Sequence, residues 1–383
     1  MAAALFDALG PLGARVLDVE QVQIMGRLLL GMVVESADPE AVGGALRAVA
    51  TSQGVTVECS PGSGSGTRPG GPRLLVTVLA PELPPGALAG LFGALAGCGA
   101  NVERIVQLAR YPVTSYELEV TGGGPDRVRR AVGEAAAALE VDVAVQEAGL
   151  HRRAKHLIVL DVDSTLVQGE VVDLLAARAG RADEVAAITA AAMAGELDFE
   201  PALRERVALL AGLGTADLEA VRQDLVLTPG ARTLIRTLKR LGYVTGLVSG
   251  GFDHIIEPVA AELGIDHVAA NTLEVAGGRL TGRLVGPVVD RAGKAAALVR
   301  FAEAAGVPLA RTVAVGDGAN DLDMLARAGL GIAFNAKPVV RSAADTALNV
   351  PYLDAILFLL GLSREEVEAA DAAERVPVRR PPV

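Results

Sequence analysis

Residues 157–170 read LIVLDVDSTLVQGE: four apolar residues run straight into Asp161, a second carboxylate follows at Asp163, and Ser164 and Thr165 come next. The pattern has two readings. A strand can simply end here, with Asp, Ser and Thr capping the next helix. Alternatively, the end of a parallel strand carries a nucleophile and a metal site, at the rim where open α/β sheets hold their ligands. Two residues is the strand period, so both carboxylates share one face unless the chain already turns at Val162.

Two later apolar runs end in the same way. Val244–Val248 leads into Ser249, Gly250 and Gly251, and Thr312–Val315 leads into Gly316, Asp317, Gly318, Asn320 and Asp321. Between them Lys294 stands at the start of a helix in GKAAALVRFAEAAG. A solvated lysine there would oppose the helix dipole, whereas one facing an anion would not. From about residue 155 strands alternate with helices, the mark of a parallel sheet that would bring the three strand ends together.

These four motifs resemble the haloacid dehalogenase superfamily of phosphatases, over residues 155 to about 360. The stretches DVDSTLVQGE, MAGELDFEPALRERVALL, VSGGF and GDGANDLDML tighten the resemblance to the branch that hydrolyses phosphoserine. It implies a phosphatase domain at 151–363, with a Rossmann-like core at 155–167 and 229–363 and a helical cap at 168–228. Asp161 would be the nucleophile, forming an aspartyl-phosphate that splits one difficult hydrolysis into two steps. Asp163 would protonate the leaving seryl oxygen and then activate water, a task that needs a protonated carboxyl at the outset. Acidic groups around a phosphate need a cation, and Mg²⁺ takes carboxylate, carbonyl and phosphate oxygens. The implied ligands are the Asp161 carboxylate, the Asp163 backbone carbonyl and Asp317, with Asp321 supporting the metal's waters. Ser249, the Gly250 amide and Lys294 would hold the phosphoryl oxygens, with Asn320 also among the substrate-binding residues.

Helical stretches interrupt the sheet pattern between residues 168 and 228, reading as a cap that closes over the site and excludes water. Phosphoserine carries an ammonium and a carboxylate beyond its phosphate. Glu170 can meet the first and Arg206 can hold the second in a bidentate pair. Taken alone, Glu170 reads as a first-turn acid favoured by the helix dipole and Arg206 as a solvated helix face. The resemblance adds Met193 and Phe199 to the pocket wall.

Ahead of these elements the chain repeats itself. A slide of 86 positions aligns Leu5, Phe6, Ala8 and Leu9 with Leu91, Phe92, Ala94 and Leu95, and continues through Gly13/Gly99, Pro39/Pro125 and Val57/Val143 without a gap. The second copy, 73–150, has a βαββαβ order, the ferredoxin-like plan, and resembles the ACT domain, an amino-acid-binding regulatory module. A duplicated packing or dimerisation module without a ligand is the other reading. The first copy, 1–59, lacks a counterpart to the opening strand RLLVTVLA, so either the true start lies upstream or another strand fills the gap. SPGSGSGTRPGG falls within a flexible linker, 60–72. The tail, 364–383, starts helical and ends in a Pro- and Arg-rich stretch expected to fray.

With 383 residues the chain can hold two or three domains, and its 51% apolar content is globular in character. A formal charge of −11 argues against sequence-independent nucleic-acid binding. No apolar run reaches membrane-spanning length and the N-terminus has no basic region ahead of an apolar one, so no membrane contact and a cytoplasmic location are expected. The two cysteines, Cys59 and Cys98, make neither a disulfide framework nor a zinc cluster. The expected activity is hydrolysis of O-phospho-L-serine to serine and phosphate as the last step of serine synthesis, in a homodimer with serine or another amino acid at the ACT-like region. The alternatives are a related small-molecule phosphatase or phosphotransferase, and a non-catalytic amino-acid sensor.

Overall fold

A computed structural model of the chain describes residues 2–24, 26–62, 73–149, 154–193 and 197–377, without the side chains of Ile24 and Met193. It divides into two units, Met1–Gly70 and Gly71–Val383.

The first unit runs α1 (Ala2–Leu9), β1 (Arg15–Ile24), β2 (Arg27–Glu35) and α2 (Pro39–Gln53). Asp38 caps α2 by accepting from the Ala41 amide at 3.0 Å, and Gly54 ends it at φ 66°. Leu5 and Leu9 pack against Val42 and Leu46. The strands pair antiparallel, and no third strand joins them among the described residues.

The second unit opens with β3 (Leu74–Ala80), α3 (Pro85–Gly97), β4 (Ala100–Ala109), β5 (Thr114–Gly122), α4 (Pro125–Leu139) and β6 (Asp142–Glu147). Its antiparallel sheet has the order β4-β5-β3-β6, the ferredoxin-like arrangement.

Then come β7 (Leu157–Asp161), the helices α5 (Val171–Ala179), α6 (Ala182–Met193), α7 (Phe199–Ala208), α8 (Thr215–Asp224) and α9 (Ala231–Arg240), and β8 (Val244–Phe252). α10 (Asp253–Leu263), the hairpin β9 (His267–Ala276) and β10 (Arg279–Val285), α11 (Arg291–Ala304), β11 (Thr312–Gly316) and α12 (Leu322–Arg327) follow. The chain closes with β12 (Gly331–Phe334), α13 (Pro338–Ala343), β13 (Thr346–Leu348), α14 (Ile356–Leu359) and α15 (Arg364–Ala373). The seven-stranded sheet has the order β10-β9-β8-β7-β11-β12-β13, and every neighbouring pair except β9/β10 is parallel. Residues 157–160 are wholly buried, as an unbroken apolar run in a strand covered on both faces must be. From β7 the chain builds outward through β8 and β9 and returns on the other side at β11. The sheet therefore switches direction between β7 and β11, and their carboxyl ends meet there.

Helices α5, α7 and α8 gather Val171, Leu175, Leu203, Val207, Leu218 and Val221 into a second core. Leu273 and Leu280 of the β9–β10 hairpin enter it, and the Leu280 amide donates to the Leu213 carbonyl at 2.8 Å. The cap helices are thus tied to the main sheet through the hairpin. At the opposite edge β6 covers β13: Thr346 Oγ1 donates to the Val143 carbonyl, Asp142 accepts from the Asn349 amide, and Leu79, Val113 and Ala144 join the main core. The tail helix α15 is pinned to α9, since Asp371 accepts from Arg236 and Arg240. Residues 378–383, where fraying was expected, lie outside the described residues. Among the described residues no helix is long and apolar enough to cross a membrane.

Candidate active site

At the end of β7 the chain does turn at once. Val162–Leu166 form a single wide turn in which Ser164 has φ 55°, a left-handed conformation that costs a non-glycine residue on the order of 1 kcal/mol. The two carboxylates therefore part company rather than share a strand face. Asp161, 3% exposed, accepts from the Val162 amide at 2.8 Å and from Lys294 Nζ at 2.7 Å. Asp163 turns to the start of α5, accepting from the Val171 amide at 2.8 Å and from Ser249 Oγ at 3.0 Å. Burial pushes the Asp163 carboxyl up, against the pull of those two hydrogen bonds.

β11 delivers Asp317, which accepts from Thr165 Oγ1 at 3.2 Å, and the turn after it delivers Asp321. Asp321 accepts from the Gly318 amide at 3.0 Å and from Lys294 Nζ at 2.8 Å. Gly316 is required by closeness: a Cβ there would stand 2.5 Å from Asp321 Oδ2. Lys294 is 1% exposed, in the first turn of α11, and its ammonium bridges Asp161 and Asp321. Burial works against that charge, but the two carboxylates outweigh it and hold the ammonium above the usual lysine range. One cation does not balance the acids. Burial and then Asp321 push Asp161 well above its ordinary value, and the same two causes push Asp317 up to about 6. Carboxylate oxygens of Asp161, Asp317 and Asp321 lie within 4.8 Å of one another. An all-oxygen, electron-rich set of this kind, with Asp161 and Asp321 buried and Asp317 half-buried, fits a hard divalent cation.

The end of β8 completes the floor. Ser249 Oγ accepts from the Gly251 amide at 2.7 Å while donating to Asp163. The Phe199 ring lies over Gly250, where a Cβ would meet it at 3.2 Å. The Asn320 side chain folds against Gly318 and makes no hydrogen bond among the described residues. Above the floor, Glu170 stands at the cap position of α5 and accepts from Ser164 Oγ at 3.1 Å. Burial, then Asp163, push its carboxyl up to about 7. Arg206 on α7 donates Nε to the Ala202 carbonyl at 3.3 Å and forms no ion pair among the described residues. Burial weakens its charge, and Glu170, Asp173 and Asp163 support it. The Met193 side chain, expected in this wall, lies outside the described residues. Clefts of about 440 and 610 Å³ open elsewhere, by Arg236 and Arg364 and by Arg130 and Lys155, away from this cluster.

Comparison with known proteins bears on the same segments. The model of the haloacid dehalogenase-like hydrolases matches residues 158–326, and models of the ACT domain match 74–146 and 1–60. A phosphoserine phosphatase of Streptomyces coelicolor is 56% identical over 373 residues, covering 96% of this chain and 91% of that one. The chain belongs to the phosphoserine phosphatase family of haloacid dehalogenase-like hydrolases. A family member from Mycobacterium tuberculosis is 52% identical over 379 residues, covering 97% of this chain and 92% of that one. Among solved structures, one titled as a phospho-aspartyl intermediate analogue of phosphoserine phosphatase is 44% identical, with a TM-score of 0.51, over 53% of this chain and 98% of that one.

Three residues of this family member escaped the sequence reading. Thr165 ties the first strand end to the third, and its carbonyl accepts from Thr228 Oγ1 at 2.7 Å. Its place directly behind the two carboxylates was a usable signal. Thr228 and Asn271 offered none, because each acts through a backbone group distant in sequence.

Proposed function

We propose that this chain hydrolyses O-phospho-L-serine to L-serine and inorganic phosphate. One arrangement carries the reading. A buried carboxylate and ammonium pair, Asp161 and Lys294, sits at the sheet's switch point, with Glu170 and the Arg206 guanidinium, free of ion pairs among the described residues, on the cap elements that follow β7. An acid and a cation beyond the Asp161–Lys294 floor match the ammonium and carboxylate of a phosphorylated amino acid. The names of the relatives support the same substrate.

In this reading an Asp161 oxygen attacks phosphorus while the bond to the seryl oxygen breaks, giving an aspartyl-phosphate and serine. Asp163 gives its proton to the departing oxygen, a role that its upward-shifted carboxyl supports, and then takes one from the water that cleaves the acyl phosphate. The Gly250 amide and Lys294 donate to the phosphoryl oxygens, beside which Ser249 stands with its proton on Asp163, and Asn320 lies at the rim. Asp161, the Asp163 carbonyl and Asp317 would hold Mg²⁺, with Asp321 behind them. When bound, the ion supplies positive charge to the carboxylates and to the phosphoryl group.

The test is phosphate release from L-phosphoserine with and without Mg²⁺, beside phosphothreonine and sugar phosphates. Metal-dependent release selective for phosphoserine is expected. Equal rates on the other esters would make this a broader phosphatase, and serine binding without any release would make it a sensor. The reading extends to the last step of serine synthesis in the cytoplasm, to serine as a ligand of the ACT domains and to a homodimer. A serine titration of the release rate and sedimentation of the full chain test the last two.

Two further outcomes are expected. Arg206→Met should raise KM for phosphoserine by about 10- to 100-fold, the worth of a charge-assisted hydrogen-bond pair. It should leave O-phosphoethanolamine, which has no carboxylate, nearly unaffected; equal losses on both would remove Arg206 from the carboxylate. For Glu170 the sign follows from its carboxyl near 7, since only the ionised form attracts an ammonium. KM for phosphoserine should rise as pH falls through that value, by up to about tenfold per pH unit. In Glu170→Gln, KM should be high at every pH, and a parallel rise in the variant would assign the titration to another group.

A further inference from the structure

Asn271, 2% exposed on β9, uses both ends of its amide on backbone that serves the site. Nδ2 donates to the Gly250 carbonyl at 2.8 Å, and Oδ1 accepts from the Val289 amide at 2.8 Å. The Gly250 carbonyl and the Gly251 N–H belong to one peptide group. That N–H donates to Ser249 Oγ, and Ser249 Oγ donates to Asp163. A directed series therefore runs from the Asn271 amide through a peptide and a hydroxyl to the carboxyl of Asp163. Each donor in such a series polarises the next and fixes its orientation. With its acceptor role filled by the Gly251 N–H, the Ser249 hydroxyl is left to point its proton at Asp163.

The other end of the amide reaches the lysine. Val289 precedes Asp290, whose side chain caps α11 through the Gly293 amide at 2.7 Å and whose carbonyl accepts from the Lys294 amide at 2.8 Å. One buried side chain thus spans the two loops that end in Ser249–Asp163 and in Lys294. Leu273, two residues along the same strand, enters the cap core, so the strand that carries this amide also carries the cap.

We propose that Asn271 is a positioning residue, which orients Ser249 toward Asp163 and fixes the approach of Lys294 without touching substrate. The proposal rests on the hydrolytic reading above. Asn271→Asp tests it best, because the shape is kept and the Val289 amide still finds an acceptor, while the carboxylate offers no donor to the Gly250 carbonyl. The readout is kcat/KM for two substrates, phosphoserine, whose leaving oxygen needs a proton, and p-nitrophenyl phosphate, whose leaving group does not. We expect a loss of about 10- to 100-fold on phosphoserine and a clearly smaller one on p-nitrophenyl phosphate. Equal losses on both, or a loss under about twofold on phosphoserine, would overturn the proposal. Should this variant fail to fold, Asn271→Ala, which removes the donor to the Gly250 carbonyl in less volume, is read by the same ratio. Failure of the parent protein to turn over phosphoserine would instead defeat the hydrolytic reading.

Discussion

Asp161→Asn should lower kcat by about four orders of magnitude or more while leaving the protein folded. An amide of the same shape fits where the carboxylate now sits, but it cannot attack phosphorus to give a stable acyl phosphate. The substitution also keeps the site intact, because Lys294 retains Asp321 as a partner at 2.8 Å. Removing one negative charge from a cluster whose carboxyls are pushed upward relieves repulsion, so the melting temperature should hold or rise slightly. Acid-quenched mass spectrometry checks the chemistry directly. The parent protein should carry a phosphoryl group on the peptide that contains Asp161, and the variant none there. Intact mass excludes hydrolysis of the new amide back to the acid. Turnover near the parent rate in an Asp161→Asn protein of verified mass would sink the covalent route, and phosphoryl transfer to another residue would relocate it.

The parts of the site that the sequence displays are those where local order and chemistry coincide. Asp161, Ser249 and Asp317 each follow an apolar run, so a buried parallel strand and a polar end are written side by side. Lys294 is legible because its position at a helix start makes sense only opposite an anion, and it lies between two. The relative directions of Asp161 and Asp163 are not legible, because the turn that begins at Val162 between them and holds Ser164 left-handed just beyond has no residue-type signature. The β9–β10 hairpin had one in Gly277–Gly278 between alternating segments, yet its role as the foot of the cap depends on the pairing of Leu280 with Leu213. The tail shows the same limit. A run of acids and alanines reads as a helix, but its anchorage needs Arg236 and Arg240 from a helix far back in the chain. The duplication likewise reports common ancestry of the two ACT domains. It does not report that the first unit assembles a two-stranded sheet while the second assembles four strands.

Lys294→Met should combine a large loss of stability with a large loss of activity, and the balance between them is informative. The ammonium it removes is buried and joins two buried carboxylates, at 2.7 and 2.8 Å. Breaking a buried pair by deleting one partner leaves an uncompensated charge and costs about 3–5 kcal/mol, and here two acids are left behind. Loss of a preorganised cation beside the transferred phosphoryl group lowers kcat by about 10²- to 10³-fold. Lys294→Arg separates the two effects. The guanidinium keeps the positive charge, so most of the stability should return. Its planar fork is longer than the space that the ammonium fills, so kcat should stay low. Added Mg²⁺ should raise the melting temperature of the Met variant more than that of the parent, because an ion bound by the folded state offsets the acids that the lysine no longer neutralises. Chemical denaturation and melting curves at several Mg²⁺ concentrations, with kcat on phosphoserine, check all of this. A Met variant as stable as the parent without metal would mean that the acids are already protonated or solvated in the fold. An Arg variant with full activity would reduce the lysine to its charge alone, because a guanidinium would then serve the phosphoryl group as well as a compact ammonium.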